Sequence, residues 1–212
     1  MMARARCLLP RSLIRLMKIK LLLILATLFI LTGCEEKPFY VASIGNVGSL
    51  DGPYSMGEIS VADVLGGGVG FGYGAVNGYP GASADIGRMG VPKNIEGYWA
   101  KKYPEGGFQY YYRISADTNS ELAEKKIRTL QNYYQNFKGS IGRMQVVVQE
   151  ERIQVIYTQG CYAYRMDCNQ KEGSDPNQWV VRSPSDSTDV VVLFDGKGVM
   201  SLTPFPDSPY EN

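Results

Sequence analysis

This 212-residue sequence predicts an α+β fold, an antiparallel sheet of several strands with one main helix packed on a face. Three observations carry that expectation. Short runs rich in β-branched and aromatic residues occur on both sides of a single central stretch. That stretch alone shows helical spacing of apolar residues. Several of the apolar runs are joined by short turn-forming sequences, which is how antiparallel neighbours are connected.

Within Tyr54 to Leu65, the segment Ile59-Ser60-Val61-Ala62-Asp63-Val64 alternates apolar and polar residues and predicts the first strand. Gly66 to Gly90 then holds ten glycines in 25 residues. No G-x-G-x-x-G register occurs in it and no Gly-Lys-Ser/Thr follows, so a nucleotide loop is not expected. Two readings remain. One is a long irregular surface loop, which the composition favours; the other is a glycine-alternating strand lying close to a neighbour.

Pro92 favours an extended entry into Val91 to Trp99, and Gly106-Gly107 supplies a turn before Phe108 to Ile114. In that second run Phe108, Tyr110, Tyr112 and Ile114 share one face. The helix is expected over Ser120 to Lys138, with Ala123, Ile127, Leu130, Tyr134 and Phe137 forming its apolar stripe. Thr118 and Glu121 have the spacing of a capping box, and Gly139 is the expected stop. Met144 to Val148 and Ile153 to Tyr157, joined by Gln149-Glu150-Glu151-Arg152, predict a hairpin. Asn169 to Asp189 reads as a polar exposed loop carrying Trp179-Val180-Val181. Val190 to Phe194 and Val199 to Leu202, flanking Asp195-Gly196-Lys197-Gly198, predict a second hairpin. A proline-bearing tail over 204–212 is expected to be extended or frayed.

The N-terminus has a different character. Met17-Lys18-Ile19-Lys20 precedes Leu21 to Leu31, an 11-residue apolar run in which Thr27 is the one polar residue. At about 1.5 Å per residue the run is too short to cross a hydrocarbon core roughly 30 Å thick, so it reads as a signal-peptide core. Leu31-Thr32-Gly33-Cys34 closes it and resembles the bacterial lipobox. The resemblance implies cleavage before Cys34, a diacylglycerol on its sulfur and an acyl group on the new amino terminus. Two or three acyl chains anchor a protein far more firmly than one, each buried methylene contributing about 0.8 kcal/mol. Residues 1–33 are therefore expected to leave as the signal, 1–16 being either an upstream-start extension or a longer basic head. Residues 34–50 would be a lipidated tether, 51–203 a single globular domain and 204–212 the tail. Glu35 follows Cys34 in place of the aspartate associated with inner-membrane retention, which favours the outer membrane facing the periplasm.

Six of the 22 basic residues and none of the 21 acidic ones lie in residues 1–33, so Cys34–Asn212 carries a net charge of −5. That sign disfavours nucleic acid as a partner. Past Cys34 only Cys161 and Cys168 remain, and an even pair in an oxidising compartment is expected to form a disulfide worth about 2–3 kcal/mol. With no histidine and no second cysteine pair, neither a metal centre nor a bound cofactor is expected.

The absence of histidine also removes Ser-His-Asp and Cys-His catalysis. Gly81-Ala82-Ser83-Ala84-Asp85 lacks the closing glycine of a nucleophile elbow. The acid pairs Glu150-Glu151 and Asp186/Asp189 fall at a hairpin tip and in a loop, where carboxylates are usually solvated, so the chain is not expected to be an enzyme.

Binding is the remaining expectation. The sequence holds 15 tyrosines and two tryptophans. Tyr98, Trp99, Tyr103 and Trp179 stand beside glycine- and proline-rich turns, as candidate partner contacts. The order Tyr54, Ile59-Ser60-Val61, the Gly66–Gly74 run and Val91-Pro92-Lys93 leading to Trp99 resembles a group of small bacterial lipoproteins met beside type VI secretion phospholipase effectors. Some of that group are immunity proteins. The resemblance implies an anchored domain that blocks an incoming lipase by contact; the alternative expectation is a structural or adapter lipoprotein of the envelope.

Overall fold

A computed structural model describes residues 39–43, 45–85, 87–137, 141–161 and 167–211. Cys34, the signal and residues 35–38 of the expected tether lie outside them. The described residues form eleven strands and one helix: β1 (Gly45–Ser49), β2 (Tyr54–Asp63), β3 (Gly68–Val76), β4 (Ala82–Asp85), β5 (Pro92–Lys102), β6 (Phe108–Asp117), α1 (Ser120–Gln131), β7 (Arg143–Gln149), β8 (Arg152–Thr158), β9 (Val180–Arg182), β10 (Asp189–Lys197) and β11 (Val199–Ser201). The strands make two sheets, β4-β1-β7-β8-β10-β9 and β11-β6-β5-β2-β3. Every pairing is antiparallel except β1 with β7. The fold is thus mostly β, in place of the balanced α+β mixture expected around one sheet.

One apolar core joins the sheets. From the six-stranded sheet, Val47, Val146, Val148, Ile153, Val155 and Val191 are buried in it. From the five-stranded sheet, Ile59, Val61, Val69, Phe71, Ile95, Trp99, Tyr112 and Ile114 join them. Ala123, Ile127 and Leu130 of α1 complete the core, so the helix closes it as its apolar stripe predicts. Strand β7 is buried on both faces, because Tyr79 packs over Val147 and Ile156 and donates to Gln145 Oε1 at 2.6 Å. That double burial accounts for the unbroken Val146-Val147-Val148 run.

The backbone of one residue ties the sheets together at one end. Glu150, at the β7–β8 turn, donates its N–H to the Tyr54 hydroxyl at 2.7 Å and accepts from Trp99 Nε1 at 2.9 Å. The next carbonyl, of Glu151, accepts from Gly198 N–H at 2.7 Å. Trp99 itself is fully buried and stacked on Tyr112, with ring centroids 5.2 Å apart.

Several expectations are corrected. The tether over 34–50 is too long, because Val41 and Ala42 are buried and β1 is a fully buried strand between β4 and β7. Most of the glycine run is a strand, not a loop: β3 pairs with β2 while Val69 and Phe71 fill the core. The helix cap is Asn119, whose side chain accepts from Leu122 N–H at 3.0 Å, and not Thr118. The helix ends at Gln131 because the chain then pairs with the 169–171 segment through Gln135 N–H to Asn169 and Lys171 N–H to Tyr133. Tyr134 reaches the core from that bridge, its hydroxyl held by Asp189 at 2.9 Å.

The expected hairpin over Val190–Leu202 does not form. Strand β10 pairs with β8 and β9, whereas β11 pairs with β6 in the other sheet. The chain crosses between sheets at Gly198, where a Cβ would lie 2.4 Å from the Trp99 ring and 2.8 Å from the Arg113 carbonyl. Nor is the 204–212 tail frayed: the Tyr210 hydroxyl donates to the Ser55 carbonyl at 2.7 Å, and its ring packs on Phe108 and Tyr111.

Two predictions follow from these struts. Replacing Tyr54 by Phe removes the part-buried hydrogen bond to the Glu150 N–H, so urea unfolding should show a loss of about 1 kcal/mol. The second concerns alkaline pH. Burial pushes Tyr112 and Tyr210 up to about 12 from the ordinary 10, and burial likewise raises Tyr54 and Tyr134, next to Asp51 and Asp189. Above about pH 10 the unfolded chain has lost protons that the folded chain keeps. The contribution is therefore fully present below pH 10 and disappears as pH rises through 12. A melting temperature that stays constant across that window would contradict it.

Candidate functional site

The outer face of the five-stranded sheet carries an open trough of about 820 Å³. Its form begins with the glycines of β3. Val69 and Phe71 point into the core, so period-two alternation turns Gly70, Gly72 and Gly74 outward, whereas a Cβ at Gly68 would meet the Val61 carbonyl at 2.7 Å. A Cβ at Gly70 or Gly74 would meet nothing within 4 Å, and at Gly72 only the Gly57 carbonyl at 3.5 Å. One side of the trough floor is consequently bare backbone.

The register of β2 shifts between Met56 and Ser60, and this irregularity carries Gly57-Glu58 against β5. Gly97 faces it with φ 142°, and a Cβ there would lie 1.8 Å from the Glu58 carbonyl. Glycine is the residue that position tolerates. The arrangement leaves Glu58 and Ser60 from β2, Glu96 and Tyr98 from β5, and Arg113 and Ser115 from β6 around one space, with Val199 of β11 at its far side. Tyr98 stands cross-strand from Arg113, and Glu96 from Ser115 and Ser60.

The C-terminal segment borders the trough. Phe205 lies 5.0 Å from the Arg113 guanidinium, a cation–π contact, and 6.2 Å from the Tyr98 ring. Pro209 rests on Gly57, where a Cβ would approach it to 2.4 Å. Beyond the trough, the edge strand β11 and the residues after it expose Val199, Met200 and Leu202 by 59%, 52% and 72%.

Charge in the trough is unpaired. Outside it some acids and bases meet: Asp51 with Lys101 at 2.7 Å, Asp195 with Arg152 at 2.5 Å, Glu151 with Lys197 at 2.9 Å. The Arg152 hydrogen bond holds Asp195 below the usual carboxylate range. Among the described residues, Glu58, Glu96 and Arg113 have no ion-pair partner.

The four aromatic contacts expected from sequence do not converge. Tyr98 lines the trough. Trp99 is corrected: it is a core residue with no exposed surface. Tyr103, 42% exposed, sits at the β5–β6 turn beside a separate depression with Pro53 and Lys102. Trp179 is half-buried near Arg128 and Asn132 of the helix end, its N–H held by Asp175 at 3.0 Å. The acid pairs are occupied too: Glu151 with Lys197, Glu150 near Lys101, Asp189 with Tyr134 and Arg182, and Asp186 with Arg182.

Cys161 and Cys168 form a disulfide with Cα atoms 5.7 Å apart, and the Cys161 carbonyl accepts from Thr188 Oγ1 at 2.7 Å. Asp167 stands beside both sulfurs, but with the thiols joined to each other the trio offers no thiolate to a metal. Glu58, Glu96 and Arg113 were not among the expected site residues. The one sequence signal for them was β3 itself, whose alternation of glycine with Val69 and Phe71 marks a sheet face stripped of side chains.

Comparison with known proteins returns no match: no family model, no curated protein and no solved structure. The fold and trough together define a mostly-β domain with one open sheet face. Among its described residues no helix is long and apolar enough to cross a membrane.

The glycines should respond to substitution in opposite ways. Gly70→Trp fills open space, so its melting temperature should stay within about 2–3 °C of the parent, consistent with surface changes within about 0.5 kcal/mol. Gly97→Ala forces a Cβ into the Glu58 backbone and should lose about 3 kcal/mol or more, read by urea unfolding.

Proposed function

We propose that this chain is a lipid-anchored envelope protein facing the periplasm that works by binding a protein partner, with the trough and the adjoining β11 edge as its contact surface. The observation that carries the reading is the juxtaposition of unpaired charge in the trough with exposed Val199 at its border, on an edge strand that also exposes Met200 and runs on to exposed Leu202. Contiguous apolar surface rimmed by polar groups is characteristic of interaction sites, and a short open edge strand offers unpaired backbone to a partner. The lipobox at Leu31–Cys34 supports the anchor, and the Cys161–Cys168 disulfide suits an oxidising compartment. The resemblance of residues 50–105 to lipoproteins met beside type VI secretion phospholipase effectors supplies the specific form: an immunity protein that sterically blocks such a lipase. Anchoring would concentrate the inhibitor at the membrane under attack.

Two experiments test it. Labelled palmitate should enter the wild-type chain and not Cys34→Ser; equal labelling of both would remove the anchor. Cells directing a genetically adjacent phospholipase effector to the periplasm should survive when they carry the wild-type chain and die when they carry Gly70→Trp at equal abundance. Survival that is indifferent to Gly70→Trp would exclude the trough as the contact surface.

A further inference from the structure

Resting on that reading of the trough as the contact surface, we infer that its occupant is an extended polypeptide segment bearing a basic side chain, whose cation lies against the carboxylates of Glu58 and Glu96. The floor sets the shape of the occupant. Where Gly70 and Gly72 present bare backbone, another main chain can approach more closely than any side-chain-covered sheet face allows. From β3 across β2, β5 and β6 to β11 is four strand spacings of about 4.8 Å, roughly 19 Å, which an extended segment of about six residues at roughly 3.3 Å each would span.

Charge sets the sign. Two carboxylates without ion-pair partners face one guanidinium, and that guanidinium is already seated on the Phe205 ring. A basic group is complementary to this balance, whereas a phosphate or an anionic headgroup would be repelled by it. Val199 at the β11 side offers an apolar contact beyond the charged centre. A glycan is less well served, because Phe71 belongs to the core and the bordering Phe205 ring is taken by Arg113, which leaves Tyr98 among the described lining residues for stacking on a sugar ring.

The test uses the full chain in detergent and three fluorescent probes: the hexapeptide Ser-Arg-Ser-Arg-Ser-Val, its counterpart with glutamate for arginine, and an N-acetylglucosamine tetramer. The basic peptide should bind by fluorescence anisotropy and weaken as salt rises from about 50 to 500 mM. Glu58→Gln with Glu96→Gln should reduce its affinity about tenfold or more without changing the melting temperature. Failure of the basic peptide to bind, binding that ignores the double substitution, or preference for the acidic peptide or the glycan would each overturn the inference. If cells lose protection with Gly70→Trp but keep it with Glu58→Gln/Glu96→Gln, the contact surface stands and the basic occupant falls. If protection ignores Gly70→Trp, the contact surface falls, and the peptide titration still decides what the trough holds.

Discussion

The architecture depends on one residue whose backbone N–H and carbonyl are both held. Two sheets that share a core need something to fix their relative position at an end where strands turn and side chains thin out. Here Glu150 does it with main-chain atoms: the Tyr54 hydroxyl takes its N–H and the Trp99 indole gives to its carbonyl. The Tyr54 and Trp99 side chains are fully buried, so losing either bond would leave a buried side chain or its part-buried backbone partner short of a hydrogen bond. Glu150 adopts φ 51°, a conformation costly for a residue with a side chain, and the two bonds offset that cost. Gly198 crosses from one sheet to the other beside the same clamp, its N–H on the following carbonyl, so this chain crossing and the clamp meet at one point.

Because the clamp and the core rest on the inner face, the outer face of the five-stranded sheet is relieved of structural duty. From Val69 to Gly74 of β3 the division is clear: Val69 and Phe71 are inward, with half-buried Tyr73 following them, and Gly70, Gly72 and Gly74 are outward. Glycine in a strand weakens it through backbone entropy and missing packing, so three outward glycines represent a stability cost that the inner residues must offset. The irregularity in β2 and the left-handed Gly97 that accommodates it then bring Glu58 beside Glu96, Tyr98 and Arg113. The C-terminal segment closes one border through Phe205 and Pro209, which is why residues that look like a loose tail are part of the fold.

What was legible in the sequence was local. The β7–β8 hairpin follows from two apolar runs around a short polar turn, and its register places Val148 opposite Ile153. The β5–β6 hairpin follows from Gly106-Gly107 in the same way, and the stripe Ala123, Ile127, Leu130 places the helix on the core. What was hidden is set by distant partners. Strand β1, Gly45-Asn46-Val47-Gly48-Ser49, contains one clearly apolar residue and becomes a strand because β4 and β7 pair with it on both sides. Asp195-Gly196-Lys197-Gly198 has the composition of a tight turn, yet its last glycine is required by the Trp99 ring and the Arg113 carbonyl. Trp99 beside a glycine looks displayed until Tyr112, paired opposite it, is seen stacked on it. The trough was partly written in the glycine alternation, but its charges come from β2, β5 and β6 and meet only through cross-strand register.

A strand whose outward positions are empty has a further consequence for how such a protein changes over time. At Gly70 and Gly74 any side chain would project into open space while Val69 and Phe71 go on filling the interior. New contacts can therefore be written one codon at a time without repacking, so recognition can diverge quickly while the scaffold stays constant. A blank sheet face is thus a reserve of variation already tolerated by the fold.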